Sequence, residues 1–285
     1  MCGRPVDWQG TLKEALARPA SFSLAWADMS GVSVIIPVYN GVRFLRQAVE
    51  SVLAERVDDL EVVVVDDGST DGSAGSIADL PVTLVTQPRN LGATRAMNRG
   101  LAVARGSYLT FLDADDLLTP GGLAFRVRWL DAHPEARAVG GRPTAIIDEH
   151  GQVLERYRHL LTPGYVPPSE VSLDLYRQGQ IYPVCLCLFL FRREFIDATG
   201  ELDPTYQSAY DCDYLFRAAR LSPIPVVFEP TFSRRWHDTN LSLQGPGGSR
   251  TLNPRTVTEV KAICASHDIA TREILYPWEC GYQPT

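Results

Sequence analysis

Three carboxylates, Asp113, Asp115 and Asp116, stand together in Asp113-Ala114-Asp115-Asp116, immediately after the apolar run Tyr108-Leu109-Thr110-Phe111-Leu112. Oxygen ligands grouped this tightly suit a hard divalent cation such as Mg2+ or Mn2+, commonly held by one or two carboxylates together with phosphate oxygens of a ligand. A second acidic step, Asp66-Asp67-Gly68-Ser69, follows another apolar run, residues 62–65. The carboxyl ends of neighbouring strands in an open α/β sheet share one crevice, so both acidic tips are expected to face the same ligand.

Other residues take their meaning from where they fall. Pro37-Val38-Tyr39-Asn40-Gly41 closes the first apolar run. There Tyr39 can stack on a flat base while Asn40 caps the next helix, although the segment also suits a plain turn. Asp67 can accept hydrogen bonds from a base or ribose, yet paired acids before Gly-Ser are common turn residues too. Arg95 belongs to the polar, basic start of a helix after Gln87-Pro88-Arg89-Asn90-Leu91-Gly92. Free backbone N–H groups there favour anions; the alternative is a solvated helix end. Asp113 and Asp115, two apart after a buried strand, point to metal or ribose binding.

Asp211 lies at a helix start in Tyr210-Asp211-Cys212-Asp213, and Arg217 follows Asp213 at the helical spacing of an ion pair. Asp213 is thereby engaged, which leaves Asp211 as a helix cap or as a general base. His237, in Arg234-Arg235-Trp236-His237-Asp238, is open to three readings: metal ligand, donor to a phosphate, or an ordinary histidine.

The elements that must position these groups alternate in period. Residues 32–37 read as a strand, 42–53 as a helix and 60–66 as a strand, which is a parallel βαβ unit. A short helix near 73–78, a strand at 82–86, a helix at 93–104 and the strand at 108–112 continue it. After Pro120-Gly121-Gly122 a helix over 123–132 stops at His133-Pro134, because a residue before proline is pushed out of helical space. The rhythm then changes. Residues 138–147 and 153–157 read as a hairpin, and 184–191 as a buried strand carrying Cys185 and Cys187 on one face as small hydrophobes. Helices at 171–178 and 211–221, a last strand at 225–228, a loop at Gly245-Pro246-Gly247-Gly248-Ser249 and a helix at 255–266 complete an α/β chain with a mixed sheet.

Composition bounds the rest. The 285 residues, 45% hydrophobic and 21% charged, describe a globular chain able to bury a substantial core. A net charge of −7 argues against a nucleic-acid partner, which demands clustered Lys and Arg. Six cysteines with no C-x-x-C pair indicate neither a zinc site nor a disulfide framework, and favour the reducing cytoplasm. The longest apolar run, 184–191, is far short of the roughly 20 residues of a membrane span. The first 28 residues do not read as a signal peptide and look like an extension, with Met29 an alternative start.

Together these segments resemble the family 2 glycosyltransferases, nucleotide-sugar-dependent enzymes of GT-A fold with a Rossmann-like nucleotide-binding half. The likeness covers about residues 32–242. It is carried by Val32-Ser33-Val34-Ile35-Ile36-Pro37-Val38-Tyr39-Asn40, Val65-Asp66-Asp67-Gly68-Ser69-Thr70-Asp71, Asn90-Leu91-Gly92 and Phe111-Leu112-Asp113-Ala114-Asp115-Asp116, in family order. The resemblance implies an extension over 1–30, a GT-A domain over 31–244 and a C-terminal loop and helix over 245–285. It implies that Pro37, Tyr39, Asn40, Asp67, Arg95 and Asp113 bind the nucleotide sugar, that Asp113, Asp115 and His237 hold Mn2+ or Mg2+, and that Asp211 is the catalytic base of an inverting transfer. Arg235-Trp236-His237 with Asn240 and Ser242 looks like the family's closing motif.

The partners so implied are a nucleoside diphosphate sugar donor, UDP-linked by expectation, and a saccharide or lipid-linked acceptor hydroxyl. The location implied is cytoplasmic, with peripheral contact at the inner membrane face left open. Three departures stand out: Tyr210 replaces the usual Glu before the base, Phe232 stands where processive synthases carry Gln, and the N-terminal extension has no counterpart. A sugar-1-phosphate nucleotidylyltransferase would require a Gly- and Arg/Lys-rich loop after the first strand, which Val38-Tyr39-Asn40-Gly41 lacks. A non-catalytic module that retains nucleotide-sugar affinity is the remaining alternative.

Overall fold

The computed structural model describes residues 31–156, 185–222, 224–237, 240, 243–244, 251–252 and 254–266. Expectations for the N-terminal extension, the helix at 171–178, Ser242 and the loop at 245–249 lie outside these residues.

The valine- and isoleucine-rich runs form the expected parallel core. β1 (Val32–Val38), β2 (Leu60–Asp66), β3 (Thr83–Thr86) and β4 (Tyr108–Phe111) lie in the order β3-β2-β1-β4. Val34, Ile35, Ile36, Val63, Val64 and Val65 are fully buried, as befits parallel strands covered on both faces. β1 and β2 pair level from Val32↔Leu60 to Val38↔Asp66, so their tips end side by side. Leu112 still donates to the Ile35 carbonyl at 3.0 Å, and the chain leaves the sheet directly afterwards, at Asp113.

Helices α1 (Leu45–Leu53) and α2 (Ala93–Val103) make the crossovers. α2 lies close against β1: a Cβ at Gly100 would meet the Ile35 side chain at 2.4 Å. α1 begins later than its apolar period indicated, with Phe44 rather than Asn40 before it and no side-chain cap. Asn40 instead adopts a left-handed backbone, φ 50°, and its side chain accepts from the Thr70 amide at 2.9 Å. The helix-cap expectation is therefore corrected: asparagine tolerates φ > 0, and here it clamps the loop after β2.

Beyond β4 the sheet turns mixed. It runs on as β8 (Phe189–Arg192), β6 (Ala138–Ile147), β9 (Val226–Arg235) and β5 (Leu117–Leu118), with β7 (Val153–Arg156) pairing β6 as the expected hairpin. α3 (Gly122–Ala132) packs against β6 and β9. Two expectations fail here. Residues 186–188 form a 3-10 turn and the strand starts only at Phe189, so Cys185 and Cys187 do not alternate along a strand. The last strand runs ten residues to Arg235 instead of stopping at 228, because β9 finds partners in both β6 and β5.

α4 (Arg193–Thr199), α5 (Tyr210–Leu221) and α6 (Pro254–Ser266) follow. α5 and α6 share a small separate core of Ala209, Cys212, Phe216, Val260, Ile263 and Cys264. Among the described residues, no helix is long and apolar enough to cross a membrane.

Candidate functional site

The abrupt end of β4 places Asp113, Asp115 and Asp116 so that one carboxylate oxygen from each lies within 4.8 Å of the others. Burial, and then the neighbouring Asp115, raise Asp113 to about 6. Asp116 is pushed well above the usual carboxylate range by burial and then by Asp115 and Asp113. Crowded carboxyls that resist ionising together are a donor set that a hard cation relieves, so the cluster fits Mg2+ or Mn2+.

The end of β9 closes over this cluster. Arg235, fully buried, donates its amide to Asp116 Oδ1 at 2.8 Å. Its guanidinium reaches the Asp115, Asp148 and Glu149 carbonyls and Gln47 Oε1 at 2.8, 3.2, 3.0 and 2.9 Å, and lies 4.7 Å from the Phe44 ring centroid. The pinned strand delivers His237, whose Nε2 is 2.8 Å from Asp115 Oδ2. The imidazole is 6% exposed and Asp115 30%. Asn240 accepts from the His237 amide at 2.9 Å and approaches the same Asp115 oxygen at 3.2 Å. With Nε2–H donating to Asp115, that nitrogen cannot also accept from Asn240, so both side chains donate to Asp115.

Asp211 enters from the other side, on the first turn of α5. Its Oδ1 accepts from the Cys212 amide at 2.8 Å. Burial raises its carboxyl to about 7; the Cys212 amide pulls it down and Asp113 pushes it up. Asp213 pairs with Arg217 Nε at 2.9 Å, as its spacing indicated. Tyr210 is half-buried beside Asp113 and Asp211, and desolvation holds its phenol well above the ordinary range. Asp113, Asp115 and Asp211 thus converge.

Asp67 lies on the same sheet edge but two strands from β4, across β1. Its carboxylate is 2% exposed and accepts from Gln87 Nε2, the Leu91 amide and the Gly92 amide at 2.8, 2.8 and 2.7 Å. Asp67 therefore organises the 87–92 loop. Gly68 makes this tight: with φ +76°, an added Cβ would meet the Arg89 backbone at 2.6 Å. Tyr39 is 49% exposed at the β1 tip, Pro37 lies within β1 opposite Val65, and Arg95 is exposed and bends back to the Leu91 carbonyl at 3.4 Å.

Sequence reasoning missed Arg234, whose charge lowers Asp113, Asp116 and Asp211 together. It also missed Cys185 and Cys187 beside Asp113 and Glu259, which binds the Gln207, Ser208 and Ala209 amides just before α5. The only available signals were a doubled arginine and a C-x-C pair, neither informative without partners.

A family model described as glycosyl transferase family 2 matches residues 33–200. An uncharacterized glycosyltransferase of Rickettsia felis is 28% identical over 213 residues, 72% of this chain and 34% of that protein. The chain therefore spans about a third of the length of that relative. Among solved structures, S. aureus TarS 1–349 in complex with UDP-GlcNAc superposes with TM-score 0.64 at 18% identity, over 86% of this chain and 68% of that one. The mannosyltransferase PcManGT from Pyrobaculum calidifontis, in complex with GDP-Man and Mn2+, gives TM-score 0.60 at 21% identity, over 93% and 72%. At these identities the likeness is one of fold, and it bears out the GT-A architecture expected from the sequence.

Proposed function

The chain belongs to glycosyl transferase family 2, and from that premise we propose that it moves a sugar from a nucleoside diphosphate sugar, UDP-linked by preference, to a hydroxyl of a saccharide or lipid-linked acceptor, with inversion at the anomeric carbon. The unit assigned to this chemistry is 31–244, braced by α6. The observation that carries the reading is Asp211: a carboxyl raised to about 7 beside Asp113 of a three-carboxylate cluster. The UDP-GlcNAc bound to TarS and the GDP-Man and Mn2+ bound to PcManGT support a nucleotide-sugar donor and a divalent ion.

Asp211, with a carboxyl tuned near neutrality, accepts the proton of the acceptor hydroxyl as its oxygen attacks the anomeric carbon. Asp113 and Asp115, with His237 alongside, would hold Mn2+ or Mg2+, which as a Lewis acid stabilises the charge developing on the departing diphosphate. Tyr39 and Pro37 flank the base at the β1 tip. Asp67 and Asn40 hold the 87–92 and 66–71 loops around it, and Arg95 meets phosphate from the start of α2.

The test is to incubate the chain with UDP- and GDP-sugars, Mn2+ and candidate acceptors while following nucleoside diphosphate release. Asp211→Asn should retain donor binding and lose transfer. Transfer by Asp211→Asn at the unaltered rate would remove the base assignment, and a complete lack of donor binding would remove the reading.

A further inference from the structure

Asp113 belongs to two clusters at once. Besides its acidic neighbours, its carboxylate lies with the thiols of Cys185 and Cys187 in a second group whose ligand atoms are all within 4.8 Å of one another. The two thiols are hydrogen-bonded to each other. The 3-10 turn over Leu186–Leu188 brings this about, since it curls the C-x-C segment where a strand would have carried it straight past the site. Arg126 donates to the Cys187 carbonyl at 3.4 Å from below, fixing the turn against α3. Cys187 is buried, while Cys185 and Asp113 are half-buried, so one side of the group opens to the crevice.

We propose that Cys185, Cys187 and Asp113 form a binding site for a thiophilic divalent cation of the Zn2+ class, distinct from the hard-ion cluster but sharing Asp113 with it. Tetrahedral zinc, with bonds of about 2.3 Å to sulfur and 2.0–2.2 Å to oxygen, places its ligand atoms roughly 3.4–3.8 Å apart. The group, all within 4.8 Å, is at most an ångström or so wider than that spacing. Two thiolates and one carboxylate leave a fourth position toward the crevice for water. The ligand types separate the two ions: sulfur selects zinc or cadmium, whereas the all-oxygen cluster suits magnesium or manganese. Binding releases the two thiol protons to solvent. The functional consequence rests on the transferase reading: an ion that captures Asp113 removes a ligand from the donor-side cation, so zinc inhibits transfer, and chelation followed by resupply of Mn2+ alone restores it.

The ion site is tested independently of turnover. The metal-free full chain is titrated with Co2+ and Cd2+ while following the sulfur-to-metal charge-transfer absorption, alongside Cys185→Ser, Cys187→Ser and the double variant; Cys264→Ser, in the separate α5–α6 core, serves as control. Expected are one equivalent bound, a band at least tenfold weaker in affinity in Cys185→Ser, its loss in the double variant, and no change in Cys264→Ser. Because Cys187 is fully buried, the half-buried Cys185 variant decides the matter if the double variant does not fold. An unchanged band in Cys185→Ser, or no band in the unaltered chain, overturns the site. The ratio of Mn2+-supported turnover with and without Zn2+ should fall at least tenfold in the unaltered chain and stay near one in Cys185→Ser. A thiolate band in a chain that turns over no sugar nucleotide would leave the ion site standing and remove only the transferase reading.

Discussion

His237 Nε2 meets Asp115 Oδ2 at 2.8 Å across 122 positions of sequence. The bond joins the end of β9 to the acidic turn after β4, and Phe44 flanks the imidazole at 4.9 Å between ring centroids. A histidine so held orients the carboxylate it touches.

His237→Ala should therefore weaken divalent-ion binding more than it weakens the fold. Loss of such a supporting contact commonly costs 10–100-fold in metal affinity. The check is the Mn2+ concentration for half-maximal donor binding, measured beside a thermal melt. An unaltered Mn2+ dependence would show that Asp115 is positioned without it.

Asp211 yields a pH prediction with two faces. Because its carboxyl is raised to about 7 from an ordinary 3.8, base-dependent transfer should rise with pH through about 7. The fold favours the neutral acid, so its contribution to stability is fully present below about pH 3.8 and is lost as pH rises through about 7. Asp211→Asn, which cannot ionise, should melt a few degrees higher than the unaltered chain at pH 8 without divalent ions, and close to it at pH 4. Equal melting at both pH values would contradict the raised carboxyl.

Arg235 anchors the closing strand from a fully buried position. Arg235→Ala strands the carbonyls of Asp115, Asp148 and Glu149, and should cost about 3 kcal/mol or more, read by urea denaturation. Arg235→Lys should recover only part, because an ammonium cannot span the same forked set of acceptors.

Glu259 positions the proposed base from outside the residues that match the family model. From α6 its carboxylate accepts from the Gln207, Ser208 and Ala209 amides at 3.1, 2.9 and 3.0 Å and from the Ser208 hydroxyl at 3.2 Å. It thus ties down the segment that leads into α5, whose N-cap residue Ala209 makes no side-chain cap bond. Glu259→Ala should lower kcat by about tenfold or more with little change in donor KM. Glu259→Gln, which keeps one acceptor oxygen, should restore part of it. A fall in donor affinity of the same size would place Glu259 in donor binding instead.

The sequence by itself determined the parallel half of the fold and the positions of its acids. Val32–Val38, Leu60–Asp66 and Tyr108–Phe111 are mainly apolar, and the second and third lead into the carboxylates Asp66-Asp67 and Asp113; burial on both faces and an abrupt exit from the sheet are local properties that a linear pattern records. The Asp213–Arg217 pair was legible for the same reason, since four residues is one helical turn. Only the tertiary structure decided what lay across the sheet. β9 runs on to Arg235 because β6 and β5 accept it, and that extension alone brings His237 to Asp115. Asp67 turned to the 87–92 loop, Cys185 and Cys187 curled toward Asp113, and Glu259 reached the start of α5 through contacts between segments far apart in the chain. Strand order and register set such meetings, and hydrophobic period, which reports a residue's own face, carries no information about the partner opposite it.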